Sequence, residues 1–183
     1  MYWPVLDRLF GYVFKKMGWS FEGEIPKVKK AIVILAPHTS NWDFFIAMLA
    51  KFSLQLKASY IMKQEAFFWP FKSLLMTVGG IPVDRSQPAR VVNQVARKIA
   101  EEDSIWVVIT PEGTRKKVTK FKTGFVRIAR TAGVPILVIG FDYSRKKIIF
   151  SKVVEPGEDY EEEAQSLYQY CRESFVGCRP EHQ

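Results

Sequence analysis

Two short strings in this chain hold residue types that can do chemistry together. They are Pro37-His38-Thr39-Ser40-Asn41-Trp42-Asp43 and, some seventy residues on, Pro111-Glu112-Gly113-Thr114-Arg115. Each follows directly on a β-branched, apolar run. Imidazole is the usual general base near neutral pH, and the sequence has two histidines, His38 and His182. His182 stands one residue from the end of the sequence and is expected to fray, which leaves imidazole chemistry to His38. Asp43 falls in the first turn of an expected helix, from where its carboxylate can fold back onto the ring. A carboxylate accepting a hydrogen bond from one ring nitrogen fixes the tautomer and raises the basicity of the other nitrogen. It also stabilises the imidazolium formed when a proton is taken. No nucleophilic serine or cysteine is needed for that task, and the G-x-S-x-G elbow of an esterase is not in the sequence. A structural explanation competes for Asp43: Ser40-x-x-Asp43 approximates a capping box with Ser40 as N-cap, and an acid in a first turn contributes about 0.3–1 kcal/mol. Capping accounts for Asp43 but gives His38 no role.

The second string has the makings of an anion site. Gly113 lets backbone approach a ligand closely, Thr114 brings a hydroxyl, and Arg115 brings a planar fork suited to phosphate. Lys116, Lys117, Lys120 and Lys122 crowd the same loop, and Arg85, after Ile81-Pro82-Val83-Asp84, adds a second guanidinium. The structural alternative is a β-turn with a solvated basic rim.

Elements must bring these strings together. Hydrophobic periodicity predicts strands over 31–36, 58–62, 81–84, 105–110, 135–141 and 147–154, and helices over 42–54, 69–78, 88–102, 121–131 and 160–175. Strand and helix alternate almost throughout. That order predicts a single-domain layered α/β fold whose central sheet is largely parallel and flanked by helices. The sheet is expected to be mixed at its last strand, because Tyr143–Lys146 reads as a hairpin turn. Ligands of such sheets bind beyond the carboxyl ends of the strands. His38, Arg85 and Glu112 each follow a strand, so parallel strands would gather all three on one edge.

The composition narrows the class. At 183 residues the chain suits one hydrophobic core, without linker-like tracts or internal repeats. Two cysteines, Cys171 and Cys178, lack the paired C-x-x-C spacing of a zinc site, so no metal is expected. Two cysteines are also too few for a disulfide framework, and Asp7 and Arg8 interrupt any signal-peptide run, which together point to the cytoplasm. Of the net charge of +8, residues 151–183 carry three basic and eight acidic side chains, leaving 24 basic and 11 acidic in residues 1–150. Such a body attracts anions: nucleic acid, an anionic membrane face or phosphorylated small molecules. No RNA-recognition or helix-turn-helix signature is present, and nucleic acid is not expected as a partner. Residues 1–20 predict an amphipathic helix carrying Tyr2, Trp3, Leu6, Phe10, Val13, Phe14 and Met17, able either to lie in a membrane interface or to pack on the protein's own core. Phe67-Phe68-Trp69-Pro70-Phe71, between Lys63 and Lys72, is a second candidate for an interfacial anchor or the mouth of an acyl pocket.

His38 and Asp43 match the H-x-x-x-x-D motif of the glycerolipid acyltransferases typified by 1-acylglycerol-3-phosphate acyltransferase, and Pro111–Arg115 match their P-E-G-T-R motif. Gly80–Arg85 resembles the intervening G-x-I-x-x-x-R block and Gly133-Val134-Pro135-Ile136 the fourth, in the same order. The resemblance runs from about Gly18 to Val154 and makes residues 21–183 an acyltransferase domain. It implies acyl transfer from a thioester of coenzyme A or acyl carrier protein, used as co-substrate with no resident cofactor, to a hydroxyl of a phosphorylated lyso-lipid. In that scheme His38 is general base, Asp43 orients it, and Arg85 and Arg115 hold the acceptor's phosphate. Glu112, Gly113, Thr114 and Lys122 shape the same pocket. The expected location is peripheral, on an anionic inner membrane surface. Leu137 replaces the usual second proline of the fourth block, Lys116 a frequent serine, and the Lys117–Lys120 loop is short, departures that bear on substrate more than on chemistry. Two other functions remain compatible with these residues: a catalytically silent lipid-binding domain, and a thioesterase-like hydrolase in which His38 activates water.

Overall fold

Lys30–Ala36 is an apolar run buried on both faces, and it forms the middle strand of the molecule. The computed structural model describes residues 4–183, with side chains from Asp7 onward. The described elements are α1 (Pro4–Lys16), β1 (Ser20–Glu22), β2 (Lys30–Ala36), α2 (Trp42–Ser53), β3 (Ala58–Lys63), α3 (Phe71–Thr77), β4 (Gly80–Val83), α4 (Pro88–Glu101), β5 (Ile105–Ile109), α5 (Gly124–Ala132), β6 (Ile136–Asp142), β7 (Lys147–Val154) and α6 (Tyr160–Ser174). Short 3-10 turns at Gln64–Ala66 and Pro180–His182 complete them.

The seven strands form one sheet in the order β1-β7-β6-β2-β5-β3-β4. β6, β2, β5, β3 and β4 run parallel, while β7 pairs antiparallel with β6 and β1 follows β7 in direction. The expected mixed, mostly parallel α/β sheet is therefore present, with its reversal at the Tyr143–Lys146 hairpin. The sequence pattern omits β1, a three-residue edge strand.

Side chains alternate across β2 as the strand period requires. Ala31, Val33 and Leu35 join a core with Phe14 of α1 and Ile46 and Ala50 of α2, whereas Ile32, Ile34 and Ala36 face Val95, Ile99, Phe125 and Leu167 from α4, α5 and α6. Helices thus cover both faces, which a parallel sheet requires. α1 docks on this core: Phe14 is buried and Phe10 stacks on Phe52 of α2 with ring centroids 4.9 Å apart, while Leu9 and Tyr12 face outward. Met1–Trp3 and the side chain of Leu6 lie outside the described residues. Among the described residues no helix is long and apolar enough to cross a membrane.

Helix ends follow local chemistry. Asp159 caps α6 by accepting from the backbone N–H groups of Glu161 and Glu162 at 2.9 and 3.0 Å. Gly133 ends α5 in the left-handed region, φ 63°, where its N–H closes the last turn on Arg130, and so delivers the chain into β6.

Candidate functional site

The parallel register brings the carboxyl ends of β2, β4, β5 and β6 to one edge of the sheet, and every predicted site residue follows one of these strands or the loop after it. Two residues beyond β2, His38 turns back on α2 and sets its Nδ1 3.1 Å from Asp43 Oδ2. The His38 side chain is 19% exposed and that of Asp43 only 1%, so the carboxylate is buried and the ring sits at the margin of solvent. Asp43 makes up for its lost hydration with four donors. Oδ2 also accepts from the backbone N–H groups of Thr39 and Ser40, both at 2.8 Å, and Oδ1 accepts from the Tyr143 hydroxyl at 2.6 Å. Donors on both oxygens hold the buried carboxylate in its orientation.

The expectation that Ser40 caps α2 needs correction. Asn41 occupies the N-cap position and makes no side-chain cap bond, while the Ser40 hydroxyl accepts from Trp42 N at 3.2 Å. The reciprocal half of a capping box is present, because Asp43 reaches back to Ser40 N. The carboxylate cannot be assigned to capping alone, since the same oxygen faces the imidazole.

Glu112 crosses from the loop after β5 and accepts from the backbone N–H of His38 through Oε1 at 3.0 Å, joining the two motif loops directly. Its Oε2 is buried and has no hydrogen-bond partner among the described residues. Burial pushes the carboxyl up to about 7, against the pull of the backbone bonds it accepts, including that from His38. An ordinary unfolded glutamate releases its proton at lower pH, so the folded state holds the extra proton in between. The stability linked to it is present at low pH and lost as pH rises toward 7. Glu112→Gln is expected to cancel that loss. Relative to wild type, its unfolding free energy should rise by roughly 1–3 kcal/mol from about pH 5 to pH 8, measured by urea unfolding at each pH. A constant difference across that range would show that Glu112 ionises as an exposed glutamate does.

Gly113 takes φ 66°, and a Cβ there would come within 3.0 Å of Lys122 Nζ, so the glycine lets the loop turn beneath this cation. Arg85 Nη1 donates to the Gly113 carbonyl at 3.3 Å, and Arg115 Nη1 donates to Asn41 Oδ1, tying the basic loop to the helix entry beside Asp43. Both guanidiniums are exposed, and among the described residues each spends one N–H on these bonds, so further donors are available to a bound anion. Thr114 is engaged locally, its hydroxyl accepting from Lys116 N at 3.2 Å. His38, Asp43, Arg85, Glu112, Gly113, Arg115 and Lys122 therefore form one connected group.

Two contributions are not evident from the motifs. Tyr143 follows β6, whose carboxyl end neighbours that of β2; its position in the topology is the signal that finds it. The segment after α6 is the other. Arg179 N donates to Thr39 Oγ1 at 3.0 Å, and His182 Nδ1 lies 3.0 Å from the Arg115 carbonyl, so His182 is docked, contrary to the expectation that it frays. His38, Glu112 and His182 line one cavity.

An acyltransferase family model matches residues 19–142. The chain is 31% identical over 155 residues to the 1-acyl-sn-glycerol-3-phosphate acyltransferase of Haemophilus influenzae, covering 79% of this chain and 62% of that protein. It is 24% identical over 160 residues to the enzyme of the same name from Salmonella typhimurium, covering 79% and 63%. The chain thus spans less than two thirds of the length of these relatives. The crystal structure of the 1-acyl-sn-glycerophosphate (LPA) acyltransferase PlsC from Thermotoga maritima superposes with a TM-score of 0.62 at 21% identity, covering 91% of this chain and 73% of that one, a likeness of fold.

Proposed function

Since the chain belongs to the acyltransferase family, we propose that it moves a fatty acyl group from a thioester to the free hydroxyl of a 1-acylglycerol-3-phosphate-type acceptor. The observation that carries this reading is the His38–Asp43 pair at 3.1 Å, set in a loop that Arg115 ties to a cationic rim. Asp43 engages Nδ1, which leaves Nε2 to take the proton from the acceptor hydroxyl. The oxygen then attacks the thioester carbonyl carbon, the new C–O bond forms, the C–S bond breaks, and the imidazolium returns the proton to the departing thiolate. Attack is direct, with no acyl-enzyme, so positioning of the two substrates supplies much of the acceleration. Arg85 and Arg115 hold the acceptor's phosphate, with Lys122 adding charge, and the donor is a coenzyme A or acyl-carrier-protein thioester.

Access to lipid comes from the surface, at the inner face of an anionic membrane. Trp42 and Phe45 on α2 and Phe68, Trp69, Phe71 and Leu74 around the start of α3 are all at least half exposed, and Trp42 stands three residues after Thr39 in the catalytic loop. Aromatic side chains of this kind, backed by a basic body, suit a membrane interface.

The test is thiol release from acyl-CoA and acyl-carrier-protein donors with and without lysophosphatidate. Release that depends on the acceptor and yields an esterified product supports the transferase; release without acceptor, giving free fatty acid, would replace it with a hydrolase. No release with any lyso-lipid acceptor would leave a silent lipid-binding domain. Within the transferase, Arg115→Ala is expected to raise the acceptor KM by about tenfold to a hundredfold with kcat little changed, because a phosphate contact is made in ground and transition states alike. An unchanged KM in steady-state kinetics would remove the phosphate from Arg115.

A further inference from the structure

We propose that Tyr143 is a positioning residue of the catalytic pair, acting through Asp43 on His38; the inference rests on the acyl-transfer reading above. Three of the four donors to Asp43 converge on Oδ2: the imidazole Nδ1 and the N–H groups of Thr39 and Ser40. Among the described residues Tyr143 alone engages Oδ1, at 2.6 Å, from one hundred positions away and a different strand end. A carboxylate held at one oxygen by its own loop can still swing about its Cβ–Cγ bond; a donor on the opposite oxygen fixes the plane and keeps an Oδ2 lone pair on the ring nitrogen. The hydroxyl also draws charge from the carboxylate, which tempers how strongly Asp43 stabilises the imidazolium.

The position of the phenol is itself secured. Its ring meets Trp19 edge-on at 4.9 Å, and its backbone N–H donates to the Val176 carbonyl at 2.8 Å. Burial, together with the bond to Asp43, pushes the phenol's ionisation upward, so it remains a neutral donor. Because the ring contacts and backbone bond do not involve the oxygen, Tyr143→Phe removes the donor and little else.

Among the described residues the titratable and charged groups facing the pair are Glu112 and Arg115 from the loop after β5, Cys171 and Arg172 from α6, and His182 from the closing turn, with Cys178 beside Tyr143. All of them stay in place in Tyr143→Phe and form a constant background.

The experiment compares wild type and Tyr143→Phe in two ways. In steady-state kinetics the variant is expected to lose about tenfold in kcat with acceptor KM unchanged, and the low-pH limb of its rate profile should move to higher pH as the less shared Asp43 charge favours the imidazolium. In parallel, carbethoxylation of His38 by diethyl pyrocarbonate, located by mass spectrometry, reads the neutral ring without any substrate. Its pH midpoint should rise by about half a unit, while that of His182 stays put as internal control. Unchanged kcat, limb and midpoint would reduce Tyr143 to a packing residue and overturn the proposal. A wild type inactive with every thioester would instead defeat the acyl-transfer reading, and the His38 midpoint would still decide whether Tyr143 acts on the pair.

Discussion

Replacing His38 with alanine is expected to lower kcat by about 10²–10⁴-fold while leaving the fold in place. The two halves of that result have separate causes. The activity goes because the ring is the base that Asp43 orients, with Nε2 left for the acceptor hydroxyl. The fold stays because the side chain contributes one of four donors to Asp43, and the other three remain. The bond from His38 to Glu112 belongs to the backbone and survives any side-chain replacement. Unfolding by urea should therefore shift by no more than about 1–2 kcal/mol, as for truncation of a side chain at the margin of solvent. Turnover of His38→Ala within tenfold of wild type, in the acceptor-dependent thiol assay, would end the general-base mechanism.

Asp43 should divide into two different phenotypes according to the replacement. Asparagine keeps the shape: its oxygen can face the three N–H groups that Oδ2 now accepts, and its amide can point at Tyr143, whose hydroxyl can turn and accept. Asp43→Asn is therefore expected to fold while losing about 10²–10³-fold in kcat, since the imidazolium loses its counter-charge but keeps its tautomer. Alanine leaves buried donors with nothing to bond. Asp43→Ala should cost about 3–5 kcal/mol of stability in addition to the activity. Equal stability of the two variants in urea unfolding would mean that water reaches this loop readily, and equal activity of Asp43→Asn and wild type would mean that the charge is not used.

Much of this site could be read in the sequence because its parts follow strands. A run such as Ile105–Ile109 has one stable setting between helical layers, and parallel neighbours then fix which edge its trailing loop joins. That reasoning alone gathers His38, Arg85 and Glu112 on one edge of the sheet. It could not see that Arg115 is tied to Asn41, or that Glu112 holds the backbone of His38, because side-chain partners depend on loop paths that carry no periodicity. β1 was illegible for a related reason: three residues with one apolar side chain between two polar ones hold too little pattern, and its pairing with β7 is set by tertiary packing. His182 failed differently. Position in the chain predicted fraying, but Gln183 Nε2 donates to the Arg172 carbonyl and Gly177 N–H donates to Gln183 Oε1, so a local network anchors the segment.

The bond from Arg179 to Thr39 links residues 140 positions apart. A ribosome adding roughly 5–20 residues per second would need about 7–30 s to pass from one to the other, so each new molecule spends that interval with its His38 loop made but its contact with Arg179 still missing. Glu112 reaches the loop first, Tyr143 next and Arg179 last, an order imposed by translation alone. The full set of contacts around the His38 loop is therefore completed late in the life of the nascent chain, after the sheet's central strands have already been synthesised.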